Sequence, residues 1–187
     1  EAVQYARIDE PGFVWKVDMK MFSVIPVKGR DKFVEGEGAM TIRLASLVPV
    51  VNVSGNDKID EAALQRYLAE LVWYPTLAFS PYVTWEGVDE RTARATIEYM
   101  STSGSVTFHF TDDGDVSEVS AERYKGAGED AERKDWVVTI AETELRNGIR
   151  VPTRVNVSWV LDGEPFTWYE FEIGELRYNP TEQDAPI

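Results

Sequence analysis

The stretch Asp60–Tyr74, DEAALQRYLAELVWY, constrains the fold more than any other in this chain, because it is the one long segment with helical periodicity. Leu64, Tyr67, Leu68, Leu71 and Val72 fall at i, i+3, i+4, i+7 and i+8 and make one apolar stripe. Asp60 is the expected N-cap, with Glu61 in the positive first turn. Pro75 disfavours helical geometry at Tyr74 and sets the expected stop. Nearly everything else reads as strand and turn.

Phe13–Phe22 alternates cleanly, with Phe13, Trp15, Val17, Met19 and Met21 on one face and Lys16, Asp18 and Lys20 on the other. Ser23–Val27 extends it past a break, and Lys32–Leu47 reads as one long strand whose Gly36 and Gly38 mark a bulge or bend. Val48–Val51 is a short apolar run before the helix, and Thr76–Tyr82 an apolar loop after it. Further strands are expected at Ala2–Ile8, Val83–Val88, Ala93–Met100, Ser105–Thr111, Val116–Tyr124, Trp136–Leu145, Arg150–Leu161 and Thr167–Tyr178. Asp112-Asp113-Gly114-Asp115, Asn147-Gly148 and Asp162-Gly163 supply hairpin turns, and Lys125–Asp135 reads as a long exposed loop. The expectation is one mainly β domain over residues 1–178, followed by a tail over 179–187.

About ten strands at roughly 4.8 Å spacing span about 48 Å. A fifteen-residue helix is about 22 Å long and roughly 10 Å across. One helix cannot cover the apolar face of so wide a flat sheet. The predicted architecture is therefore a strongly curved antiparallel sheet or half-barrel of about ten strands with the amphipathic helix on its concave face. Apolar surface left over is available to a ligand or partner.

Composition narrows the function. The formal charge of −14, from 19 Lys and Arg against 33 Asp and Glu, argues against nucleic acid and against docking on anionic head groups. With no cysteine there is no disulfide, thiolate metal site or Cys nucleophile. No apolar run reaches the roughly 18 residues of a membrane span. The chain opens without Met and reads as starting inside a strand, so Glu1 reads as a processed or engineered terminus. A missing upstream segment would make the protein extracytoplasmic or membrane-associated.

The catalytic inventory is close to empty, and no cofactor or metal is expected. His109, the only histidine, shares a strand face with Ser105, Thr107 and Thr111 and has no assignable partner. The Asp112–Asp115 run lacks the spacing and terminal Glu of an EF-hand, and the acidic cluster Glu129, Asp130, Glu132, Asp135 reads as a solvated loop. No P-loop, dinucleotide fingerprint, H-E-x-x-H or G-x-S-x-G is present. Trp15, Met19, Met40, Leu68, Leu71, Trp73 and Tyr74 are candidates to line an apolar cavity, and Arg43 or Arg66 to meet an acidic head group. The first functional expectation is non-catalytic binding of a lipid or other hydrophobic ligand. The second is a structural or interaction module whose core is filled by its own side chains, and the third an enzyme using carboxylates and His109.

LASLVPVVNVSG, QRYLAELVWYPT, RVPTRVNVSW and ELRYNP resemble an uncharacterised family of bacterial and archaeal proteins, from about Tyr5 to Tyr178. The motif holding Arg66, Tyr67, Trp73, Tyr74, Pro75 and Thr76 is its most specific part. In order of elements, the chain is also similar to lipoprotein carriers of the LolA and LppX type, with GSVTFHFTDDGDVSEVSAERY resembling their paired strands. That resemblance implies a curved half-barrel binding an acyl chain or a lipidated partner, and it transfers no catalytic residue.

Overall fold

The computed structural model describes residues 1–21, 24–45, 48–126, 128, 130–146 and 148–180. Phe22, Ser23, Leu47, Glu129, Asn147 and most of the expected tail lie outside these residues. Two antiparallel sheets enclose one helix. The first runs β1 (Ala2–Arg7), β2 (Gly12–Met21), β3 (Ile25–Val34), β4 (Glu37–Leu44), β5 (Val48–Ser54). The second runs β6 (Val83–Asp89), β7 (Thr92–Tyr99), β8 (Thr102–Phe110), β9 (Val116–Lys125), β10 (Glu132–Arg146), β11 (Ile149–Leu161), β12 (Glu164–Glu172). Each strand pairs with its neighbours in sequence, so both sheets are meanders, joined through helix α1 (Asp57–Ala69).

There are thus twelve strands in two sheets among the described residues rather than about ten in one. The merged Lys32–Leu47 strand divides at Glu35-Gly36, which both take positive φ and turn the chain from β3 into β4. Val48–Val51 belongs to a full strand. Much of the expected loop Lys125–Asp135 is ladder, since Glu132 pairs with Lys125 and Asp135 with Glu122. Asp162-Gly163 makes the expected tight turn with positive φ at both residues.

The helix also departs from expectation. Its N-cap is Asn56, whose side chain accepts from the Ile59 amide at 3.0 Å, and it ends at Ala69. A 3₁₀ turn, Glu70–Val72, follows, and Pro75 opens a second one, Pro75–Phe79, where a loop was expected. The helix is buried nearly all round, at Ile59, Ala62, Ala63, Leu64, Gln65, Tyr67, Leu68 and Ala69, because it packs on β3, β4 and β5 on one side and β7, β8 and β9 on the other. It is therefore the filling between two sheets rather than a lid on one.

Asp60, inside the first turn, holds the helix to the first sheet by accepting from the buried Gly38 amide at 2.6 Å. Burial raises its carboxyl above the ordinary value. The Gly38 bond opposes this, and the charges of Asp57 and Glu37 add to it. A carboxyl raised in the folded state contributes most favourably below its unfolded pKa and loses that contribution as pH rises through its folded pKa. Asp60→Asn retains an acceptor and removes the charge. It is expected to melt at or above the wild-type temperature at neutral pH, with the gain gone below about pH 4. Asp60→Ala leaves the Gly38 amide unpaired and should cost about 1–3 kcal/mol. Thermal melts of both variants at the two pH values check this.

Candidate functional site

The most elaborate polar arrangement centres on Arg66. Its Nη1 donates to Asp31 Oδ2 on β3 at 2.5 Å, its Nε to Glu70 Oε1 at 2.8 Å, and its Nη2 to Gln4 Oε1 on β1 at 2.7 Å. Gln4 Nε2 donates in turn to Glu70 Oε2. The guanidinium lies 4.8 Å from the Phe13 ring centre and 5.4 Å from that of Trp15. The Tyr74 hydroxyl donates to the Tyr67 carbonyl at 3.0 Å and stands 3.3 Å from Glu70 Oε2. Burial first, and the Glu70 charge second, raise the Tyr74 phenol well above its ordinary pKa, so it stays a neutral donor. Burial pushes Arg66 down, but Glu70 and Asp31 outweigh it, and the guanidinium is held more firmly charged than usual.

Arg66 therefore has a protein acceptor on all three nitrogens, which leaves it poorly placed to greet a head group. Arg43 is exposed and lies on the opposite face of the first sheet from Trp15, Met19 and Met40, by the alternation of β2 and β4. Leu68 and Leu71 are buried in the core beneath the helix, together with Leu64 and Tyr67. Trp73 joins the helix end to the second sheet: its Nε1 donates to the Pro152 carbonyl at 2.9 Å and its ring lies 5.8 Å from that of Phe171. Trp73 and Tyr74 are thus engaged in packing and hydrogen bonds. The structure brings Trp15, Arg66, Leu68, Leu71, Trp73 and Tyr74 around one helix and leaves Met19 and Arg43 at the surface.

A second arginine stands out on the other wall. Arg123 on β9 donates through Nε to the Ala62 carbonyl at 3.0 Å, with its guanidinium 5.0 Å from the Trp136 ring centre and 6.0 Å from that of Trp159. Among the described residues neither Nη has an acceptor, and no carboxylate pairs with it. Trp136 Nε1 beside it is buried without an acceptor. Burial lowers the Arg123 pKa to about 10. The charges of Asp31 and Glu70 oppose this, and that of Arg66 adds to it. Sequence reasoning missed Arg123, Asp31, Glu70 and Gln4. A usable signal was there for two of them: Asp31 falls in the inward series Val27, Gly29, Asp31, Phe33, and Arg123 in Val119, Ala121, Arg123.

The inward face of the first sheet runs on beyond these groups. Met19, Val27, Leu44 and Val48 stand opposite one another across β2 to β5. Val27 is buried, whereas Met19 is 42% and Val48 58% exposed. Trp15 lies beside Gly29, where a side chain would collide with Val17 and press on the indole.

Elsewhere, the β8–β9 ladder stops at the Thr107–Ser120 pair. Gln65 bridges the opening by donating to the Ser105 and Glu122 carbonyls at 3.3 and 3.0 Å. A polar cleft of about 570 Å³ lies there, lined by residues including Ser103, Ser105, Ser120 and Asp135. His109 Nε2 stands 3.1 Å from Ser120 Oγ, with Glu118 Oε1 4.0 Å from the same nitrogen. A hydrolytic triad needs the carboxylate on the other ring nitrogen, so this grouping does not form one. Among the described residues no three His, Asp or Glu side chains converge as a metal site, and no helix is long and apolar enough to cross a membrane.

Fold and site define a two-sheet antiparallel β protein built, among the described residues, around one enclosed α-helix, with Arg66 on that helix bound to the first sheet and Arg123 on the second sheet. The chain belongs to a family of unknown function (DUF6920), whose model matches residues 1–178. No curated protein and no solved structure matches it.

Proposed function

We propose that the protein binds a lipid or other hydrophobic ligand without catalysis, its apolar part against the inward face of the first sheet and its acidic head on Arg123. The observation that carries this reading is Arg123 itself, a cation with two donor nitrogens unpaired among the described residues, set against the neighbouring Trp136 and Trp159 rings. A half-buried guanidinium without a carboxylate beside it keeps donors available to an acidic ligand. The partly exposed row from Met19 to Val48 supports an apolar wall with room for a chain. In this reading the two sheets act as the walls of a curved half-barrel, as in the LolA and LppX type carriers.

A competing reading, a module with a self-filled core, is favoured by the complete burial of Leu64, Tyr67 and Leu68. Native mass spectrometry of gently purified protein, followed by titration with a fluorescent fatty acid and its methyl ester, separates the two. Arg123→Met should weaken binding of the free acid by about 10- to 100-fold, the worth of a charged hydrogen bond. Ester binding should be unaffected, while the lost bond to the Ala62 carbonyl should itself cost about 1–3 kcal/mol of stability. Equal loss for acid and ester removes Arg123 as the anchor, and absence of any bound ligand or titration favours the self-filled module.

A further inference from the structure

The outward face of the first sheet has a different character from the rest of this acidic protein. Outward positions carry Lys16 and Lys20 on β2, Lys28, Arg30 and Lys32 on β3, and Arg43 on β4. The register sets Lys16 opposite Arg30 and Lys28 opposite Arg43. Only two carboxylates share the outward positions of β2 to β5: Asp18, paired to Lys28 at 3.1 Å, and Glu37, at the end beside the helix N-terminus. Six cations less two carboxylates give this face a formal +4, which leaves −18 on the remainder of a chain of −14. Among the described residues Lys20, Arg30, Lys32 and Arg43 make no ion pair. The net charge argues against anionic surfaces only because it averages over two unlike surfaces.

One end of the same sheet is apolar. The β2–β3 and β4–β5 turns lie at that end, because β2 and β4 run in the same direction. Beside the first turn Val24 is 74% exposed and Ile25 is exposed, and beside the second Val48 and Val50 are exposed. The opposite end carries Glu35, Glu37, Asp57 and Asp60. A basic face bordered at one end by exposed aliphatic side chains, with the negative charge at the other end, is complementary to an anionic bilayer: cations meet head groups and the aliphatic side chains enter the interface. Single-stranded nucleic acid is less well matched. Such sites stack bases on aromatic side chains, and the outward positions of β2 to β5 present none.

We infer that the outer face of β2–β4, led by the exposed Val24 and Val50 at one end of the sheet, docks the protein on anionic lipid bilayers. This surface is separate from the interior arginines, so it stands whether or not a ligand is held there. Docking in this orientation brings the open end of the Met19–Val48 row to the membrane.

The test is flotation of the purified protein with vesicles of phosphatidylcholine alone or with roughly 30 mol% phosphatidylserine. Measurements at about 0.1 M and about 0.5 M salt report the screening. Binding should require phosphatidylserine, fall at high salt, and drop at least about tenfold in Lys28→Gln/Arg30→Gln/Arg43→Gln, given a several-fold loss per cation. The matched variant Arg91→Gln/Arg150→Gln/Arg177→Gln, on exposed positions elsewhere, should bind as wild type. Val24→Ser/Val50→Ser should weaken binding at unchanged charge. No binding to phosphatidylserine vesicles overturns the inference. So does equal loss in the two triple variants, or tighter binding to a short single-stranded oligonucleotide than to vesicles.

Discussion

Arg66→Ala is expected to cost about 3–5 kcal/mol of folding stability, the usual cost of removing one member of a buried charge group. The side chains involved are well shielded, with Asp31 3%, Glu70 12% and Arg66 20% exposed. Removal leaves two shielded carboxylates without their shared cation, and Asp31 Oδ1 is already buried without a donor. Gln4 also loses one of its two bonds, so the edge strand β1 loosens from the helix. In a chain of this length the loss should lower the melting temperature by about 6–20 °C. Arg66→Lys should rescue little, because an ammonium cannot reproduce the planar fork that meets Asp31, Glu70 and Gln4 together. The triple variant Arg66→Met/Asp31→Leu/Glu70→Leu should recover much of the loss, since apolar replacement of a buried ion group is often neutral. Urea titrations of the three variants read this directly. A cost under about 1 kcal/mol for Arg66→Ala would mean that water already screens the group, as it does at surface pairs.

Much of this could be read from the sequence, and the rest was hidden for physical reasons. The helix was visible because Leu64, Tyr67, Leu68 and Leu71 are large and periodic. Its face toward the second sheet was not, because contact there is made by Ala62 and Gln65, one small and one polar, which leave little apolar signal. That hidden face is why the size argument called for one curved sheet where two sheets share the helix. Turns with a single dominant chemistry, such as Asp162-Gly163, came through. Gly36 and Gly38 were read alike, yet one turns a hairpin and the other admits a helix, and only tertiary placement distinguishes them. Asp31 and Arg123 interrupt inward apolar series, so the alternation held a clue to the interior charges. The basic face was masked by summation, because a net charge carries no information about which side of a strand a lysine occupies.

Gly38→Ala is the second large effect, at about 3 kcal/mol, the upper end of ordinary overpacking. A Cβ at position 38 would come 2.7 Å from the Ile59 carbonyl oxygen and 3.2 Å from the Ala63 Cβ. The first contact is helix backbone, which no rotamer change can relieve, so either β4 or the helix must move. The helix has little freedom to do so, since Gly104 on β8 meets it from the other side, where a Cβ would lie 2.9 Å from Gln65 Cγ and 3.3 Å from its amide nitrogen. Gly104→Ala should cost less, about 1–2 kcal/mol, because part of its clash is with a side chain that can shift. Its cost should include weakened bridging by Gln65 between β8 and β9. Gly87→Ala, with nothing within 4 Å and no positive φ, should stay within about 0.5 kcal/mol of wild type. The order Gly38 above Gly104 above Gly87 in chemical denaturation follows from a helix gripped on both sides. If Gly38→Ala were as mild as Gly87→Ala, the helix would be free to leave the first sheet. The enclosure that fixes Arg66 against Asp31 would then not exist.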